Sequence, residues 1–278
     1  MMLSREGVSE SLGYLIIFGL VLTGIGLITL YGYPLLMQQE SSANLRNMEQ
    51  TMIVLQNDIK SLTYKLANYK ETSLRVSGGT LFFGNNASTL QKFRIRSPDG
   101  SVPTMDFFPG ELRYFSLTDN TVITLENGAV IMKPLATPGA VMLAEPRWFI
   151  DVDPTGKRTL IINYISMGNV SLLLENPNLI YEMENMSQTG VGTVRMNHYK
   201  TYVWSGPTPQ GVQIEYYPNN LATIMPDGYS KAWVTFLNDT SGLNMDWVSG
   251  STNPYRFRNI TPINSMVIKE YDILVETL

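Results

Sequence analysis

His198, within Met196-Asn197-His198-Tyr199, is the only histidine in 278 residues, and cysteine is absent. A nucleophile relay would have to pass through that one imidazole, and a zinc shell would lack a second imidazole or a thiolate. The run is better explained as an ordinary strand. Asp151, Asp153, Thr155 and Gly156 imitate the opening of a calcium-binding EF-hand loop, but the position that should supply a bidentate glutamate is Ile162. A turn is the expected outcome there. Glu182 with Glu184, and Glu270 with Asp272, stand two residues apart on one side of an extended segment, where acids are more often solvated than catalytic. Tyr202, Trp204, Tyr216, Tyr217, Trp148, Trp233 and Trp247 have the ring chemistry of a sugar platform, yet strands send alternate rings into a core. The expectation is a chain with no enzymatic activity, no cofactor and no metal.

Stronger chemistry lies at the N-terminus. The pentad Arg5-Glu6-Gly7-Val8-Ser9 stands in front of an uncharged apolar run from Ser11 to Gln39. As a helix, Leu12 to Met37 would be roughly 39 Å long, more than the ~30 Å hydrocarbon core of a bilayer. Tyr14 near its start and Tyr31 and Tyr33 near its end suit the two headgroup zones. Gly13, Gly19, Gly24, Gly26 and Gly32 recur without forming GxxxG; they either admit a neighbouring helix or are simply tolerated in lipid. Three fates are open to the segment. A cleaved secretory signal would need a shorter apolar region, with Ser41-Ser42-Ala43 as the passable site beyond it. An uncleaved anchor would keep Met1.

The third fate follows from a resemblance. A short leader, Met1 to Gly7, with one basic residue and a terminal glycine, then Val8-Ser9-Glu10, then apolar residues without a break, resembles the class III signal of type IV pilins and archaellins, the archaeal form in particular. The resemblance implies that a prepilin peptidase cuts between Gly7 and Val8 on the cytoplasmic side and leaves the apolar helix on the mature chain. It further implies a pilus assembly machinery, packing against identical or related pilin subunits, and an assembly surface that includes Glu10, Leu12, Gly19 and Gly24. Two residues depart from the pattern: Glu6 replaces a second basic residue, and the acid of the mature start, Glu10, is third rather than fifth. Glu10 either meets the freed α-amine of Val8 on a neighbouring subunit or sits in the headgroup zone, favoured by the helix dipole.

These residues need elements to carry them. Leu45, Met48, Met52, Leu55, Ile59, Leu62, Leu66 and Tyr69 alternate at intervals of three and four, a heptad seam that predicts an amphipathic helix over residues 40–70. With the apolar run, helix is expected from about Ser11 to Tyr69, with a kink or break allowed at Pro34. From Ser73 onward, alternation of period two takes over. Val122 to Leu125 and Ala129 to Met132 flank Asn127-Gly128, and Phe149 to Val152 and Thr159 to Ile162 flank Asp153-Pro154-Thr155-Gly156, two predicted hairpins. Further strands are expected at Phe93 to Arg96, Gly192 to Tyr199, Thr201 to Trp204, Val212 to Tyr217 and Ser265 to Glu276, with one helix at Gly228 to Leu237. The predicted class is α+β: leader 1–7, membrane or assembly helix 8–39, amphipathic helix 40–70 and a mainly antiparallel β head 71–278. A β-sandwich is favoured over a partly open barrel, and residues 136–146 are either a division of the head or a loop at a sheet edge.

A net charge of −4 gives no basic footprint, so nucleic acid is not an expected partner. Five Asn-x-Ser/Thr sequons, at Asn86, Asn169, Asn185, Asn238 and Asn259, all follow the apolar run, as a glycosylated extracellular head would have them. Two functions remain: a surface filament subunit, or a single-span anchored protein whose head binds envelope glycans, a surface layer or another subunit.

Overall fold

The computed structural model describes residues 5–65, 67–84, 92–137, 139–169, 186–208, 211–217, 229–240, 242–243, 245–248, 255–259 and 262–278, with backbone alone at 5–11, 92, 169, 240 and 259. Two compact units divide the chain, Met1–Arg46 and Asn47–Leu278. The first is helical. Helix α1 (Arg5–Leu27) runs into a π-helical turn, Ile28–Gly32, and then into α2 (Tyr33–Tyr64). Pro34 causes the interruption in physical terms: it has no N–H to donate, and its ring crowds the carbonyl four residues back. The ladder widens to absorb this, and the Tyr33 N–H bonds to the Ile28 carbonyl, five residues away.

The second unit begins within α2. Met48, Met52, Leu55, Ile59 and Leu62 of the predicted seam are buried, and Leu45 at its start is half-buried. The helix is shorter than its predicted span of residues 40–70: it ends at Tyr64, where the Ser61 carbonyl accepts from Lys65 N (3.1 Å) and Ala67 N (3.4 Å). Tyr69, expected in the seam, opens the first strand, because Asn68 O already accepts the His198 N–H (3.1 Å) and starts a sheet ladder. Leu66 lies outside the described residues.

Among the described residues fourteen strands follow: β1 (Tyr69–Gly84), β2 (Lys92–Arg96), β3 (Met105–Phe107), β4 (Glu111–Ser116), β5 (Thr121–Glu126), β6 (Ala129–Pro134), β7 (Val141–Ala144), β8 (Trp148–Val152), β9 (Arg158–Asn169), β10 (Met186–Pro207), β11 (Gln213–Tyr217), β12 (Met245–Trp247), β13 (Tyr255–Asn259) and β14 (Ser265–Thr277). They form a nine-stranded sheet, β7-β6-β5-β4-β1-β10-β14-β9-β8, and a five-stranded sheet, β12-β13-β11-β2-β3. All pairings are antiparallel except β9 with β14. The class is thus α+β, with an apolar N-terminal helix and a mainly antiparallel β-rich domain. Both predicted hairpins form, β5–β6 and β8–β9. Asn127 (φ 47°) and Gly128 (φ 71°) are both left-handed, the requirement of a type I′ turn.

Two expectations need correction, and one pair of alternatives is narrowed. The segments 192–199 and 201–204 are one strand, β10; pairing skips Tyr199 between His198↔Ile273 and Lys200↔Asp272, and this bulge breaks the alternation that sequence periodicity depends on. Of the two readings of residues 136–146, the sheet edge is the one found: β7, hydrogen-bonded to β6, is the end strand of the nine-stranded sheet, and Asn47–Leu278 is one unit. The predicted helix at 228–237 is a short α3 (Ser230–Thr235) continued by a π-helical turn, Phe236–Thr240.

The nine-stranded sheet buries both faces. On one, Val122, Ile131, Leu160, Ile162, Tyr164 and Ile268 share a core with Phe93, Ile95, Ile214, Tyr216 and Phe257 of the five-stranded sheet and with Trp233 and Phe236. Alternation sends Ile123, Leu125, Ile165, Tyr271 and Ile273 to the other face. There α2 lies across the strands, with Tyr64 edge-on to Tyr271 at 5.6 Å and Gln56 Nε2 donating to Gly128 O (2.6 Å) and Glu145 O (3.1 Å). A Cβ at Gly128 would meet Ile165 Cδ1 at 2.9 Å as well as forcing a strained φ. Gly128→Ala is therefore expected to destabilise the head by about 1–3 kcal/mol, measured as a lowered denaturant midpoint with an unchanged m-value.

Candidate functional site

From Leu12 to Met37 every leucine, isoleucine, valine, phenylalanine, tyrosine and methionine is exposed, Leu15, Leu20, Ile28 and Leu30 by 70% or more. Fully burying one such side chain is worth about 1.5–3 kcal/mol, so this surface carries a driving force of tens of kcal/mol towards any apolar medium. The two threonine hydroxyls within it are closed internally. Thr23 Oγ1 donates to Gly19 O (2.7 Å) and Thr29 Oγ1 to Ile25 O (2.9 Å), the back-bonding that leaves no hydroxyl unsatisfied away from water. By length and composition the helix can cross a membrane. Leu12 is exposed, and a Cβ added at Gly19 or Gly24 would touch nothing within 4 Å, so both faces are open. Gly7, Val8 and Glu10 lie within α1, on backbone alone.

The chemistry candidates of the head separate clearly. His198 Nε2 meets Thr201 Oγ1 at 2.8 Å, and among the described residues no group of three His, Cys, Asp or Glu side chains could hold a metal ion. Asp153 Oδ1 accepts from Thr155 N, Thr155 Oγ1 and Lys157 N (2.8, 2.6 and 3.0 Å), which makes a turn and holds its carboxyl below the usual range. Trp148, Trp233 and Tyr216 are core rings around Phe93. Tyr202 is exposed. Glu182 and Glu184 lie outside the described residues.

Glu270 and Asp272, expected to be solvated, are instead largely withdrawn from water on a central strand. Burial, reinforced by their mutual repulsion, raises Glu270 to about 7; burial raises Asp272 to about 6. Of the sequons, Asn238 is exposed on the π-helical turn, its Oδ1 3.4 Å from Trp247 N. Asn169 and Asn259 end β9 and β13, and Asn86 and Asn185 lie outside the described residues.

One family model, described as a family of unknown function (DUF7289), matches residues 6–156, more than half of the chain. The chain belongs to this family. No curated protein and no solved structure matches it. The DUF7289 segment runs from α1 through β8, so the bare apolar helix, the docked half of α2 and the β5–β6 hairpin all lie inside it.

That segment also supplies the acids of a polar cluster which sequence reasoning missed, and Tyr229 and Trp233 from beyond it complete the cluster. Glu111 and Glu126 face each other across β4 and β5. Glu111 pairs with Arg113 and accepts from Tyr229 OH (3.1 Å), which also meets Thr124 Oγ1 (2.6 Å). Glu126 accepts from Trp233 Nε1 (2.5 Å), and its burial lifts the carboxyl to about 8 despite that bond and the charge of Arg113. Glu126 is thus protonated in the folded head at neutral pH and ionised in the unfolded chain. Its contribution to stability is complete below an ordinary carboxylate value and disappears as pH rises to about 8, at up to about 1.4 kcal/mol per pH unit. The melting temperature should fall across this window, with Glu270 and Asp272 adding to the lower part, and Glu126→Gln should flatten the upper part.

Proposed function

We propose that this DUF7289 chain is a pilin-like surface filament subunit, processed after Gly7 and assembled through its apolar helix, with the β head displayed outside the cell. The observation that carries the reading is the bare surface from Leu12 to Met37. Among the described residues nothing covers it, whereas the seam of α2 from Met48 to Leu62 is buried. A helix whose continuation docks on its own domain while the preceding stretch waits for neighbours is what the pilin resemblance calls for. Two open glycine notches support packing in more than one direction: at 100° per residue, Gly13 and Gly24 share one side of α1, and Gly19 and Gly26 share another. The two sheets with one common core suit a sandwich-like head. Retention in a membrane before assembly is part of the reading, supported by a helix long and apolar enough to cross one.

Native protein should begin at Val8 by intact mass and sediment as filaments without detergent. Gly19→Leu and Gly24→Leu should lower filament yield while leaving head melting unchanged. A mature chain that keeps Met1 and stays a detergent-dependent monomer would overturn the reading and leave a single-span anchored protein in its place.

A further inference from the structure

The outer face of the five-stranded sheet holds two cross-strand rows: Asp106, Arg94, Glu215 and Arg256, then Arg96, Gln213, Arg258 and Asp246. Their neighbours Phe93, Ile95, Ile214, Tyr216 and Phe257 point into the core, so these residues face out. Charge is distributed unevenly over the rows. Arg94 closes its fork on Asp106, with Nε–Oδ1 at 2.7 Å and Nη2–Oδ2 at 3.2 Å. Glu215 keeps only 3% of its side chain exposed, yet one of its oxygens takes both Arg96 Nη2 (3.0 Å) and Arg256 Nε (3.2 Å), and Arg94 Nη1 stands 4.0 Å from the other. One sunken carboxylate thus anchors two guanidiniums whose side chains stay 42% and 49% exposed. Arg258 is exposed and forms no ion pair among the described residues. With strands ~4.8 Å apart, Arg96, Arg256, Arg258 and the Gln213 amide fall within one patch on the order of 10 Å across.

We propose that this patch binds an acidic polysaccharide through its carboxylates. A guanidinium already held by Glu215, as that of Arg96 is, loses little freedom when a second carboxylate approaches it, and planar forks match carboxylate geometry. A lipid surface fits less well, because the eight side chains of the two rows include no apolar one to enter the headgroup and acyl boundary. Nucleic acid fits less well too. The ring on this face, Tyr217, is half-buried and occupied by Arg94, 5.3 Å above it, so stacked bases have no platform. The inference deepens the reading of the head as an extracellular domain, where such polymers are met, but its test does not need a filament.

Full-length protein in neutral detergent should bind fluorescent polygalacturonate, more weakly as salt rises, and should ignore neutral dextran. Arg258→Glu, which leaves the Glu215 ion pairs in place, should weaken binding about tenfold or more at an unchanged melting temperature, and Arg258→Lys should retain part of it. Undiminished binding by Arg258→Glu, or no binding by the wild type, overturns the proposal. So does preference for single-stranded DNA or for phosphatidylglycerol vesicles over polygalacturonate.

Discussion

Every residue of β5, from Thr121 to Glu126, is buried. A strand with no wet side forces its sheet to be covered twice, and the architecture of the head follows from meeting that demand. Ile123 and Leu125 face the side that α2 covers, while Val122, Thr124 and Glu126 face the five-stranded sheet and α3. The polar members then need partners where water cannot supply them. Tyr229 reaches Thr124 and Trp233 reaches Glu126, both from the segment that also contributes Phe236 to the core. The raised proton affinity of Glu126 results from this double covering: a carboxyl kept in a dry layer by one indole N–H holds its proton.

The same demand met differently separates the two stretches of helix. Met48 to Leu62 offers a stripe one apolar face wide, and one sheet face is enough to cover it. Leu12 to Met37 is apolar around its whole circumference, so a single sheet face would leave most of it wet; a cover on all sides, by lipid or by several helices, is the only arrangement that hides it. The back-bonded threonines belong to the same logic, because a hydroxyl that may lose access to water needs an acceptor in its own helix.

Local chemistry was legible in the sequence, and distant pairing was not. Asn127-Gly128 announces its turn because positive φ at two consecutive positions is a property of those residues alone. The heptad seam was equally plain, although its end was not, since Tyr69 satisfies the helical spacing and yields to a ladder with β10 that no local pattern reveals. The bulge at Tyr199 made one strand look like two. Ile123-Thr124-Leu125-Glu126 alternates between apolar and polar, the pattern of a strand with one wet face, so burial of Thr124 and Glu126 on the second face had no local sign. The arginine face had none either. Arg94, Glu215 and Arg256 come from three distant parts of the chain and become neighbours through register alone.

Register also bears on what the DUF7289 segment is. It ends at residue 156, just past β8. Yet β8 is bonded to β9, β9 to β14, β14 to β10 and β10 to β1, so the path from β8 back to β1 and the β4–β7 strands passes through three strands beyond the segment. Without them β1 loses one of its two ladders and β8 its only one. The match therefore covers the apolar helix, the docked helix and the two flanks of a sheet, while the middle of that sheet is made by the C-terminal half. The five-stranded sheet is divided in the same way: β2 and β3 lie inside the segment and β11, β12 and β13 outside it. Its arginine patch joins the two halves, since Arg94 and Arg96 come from one and Glu215, Arg256 and Arg258 from the other. The matched segment is thus one part of a single cooperative core, and its strands are complete only when the second half of the chain is folded between them.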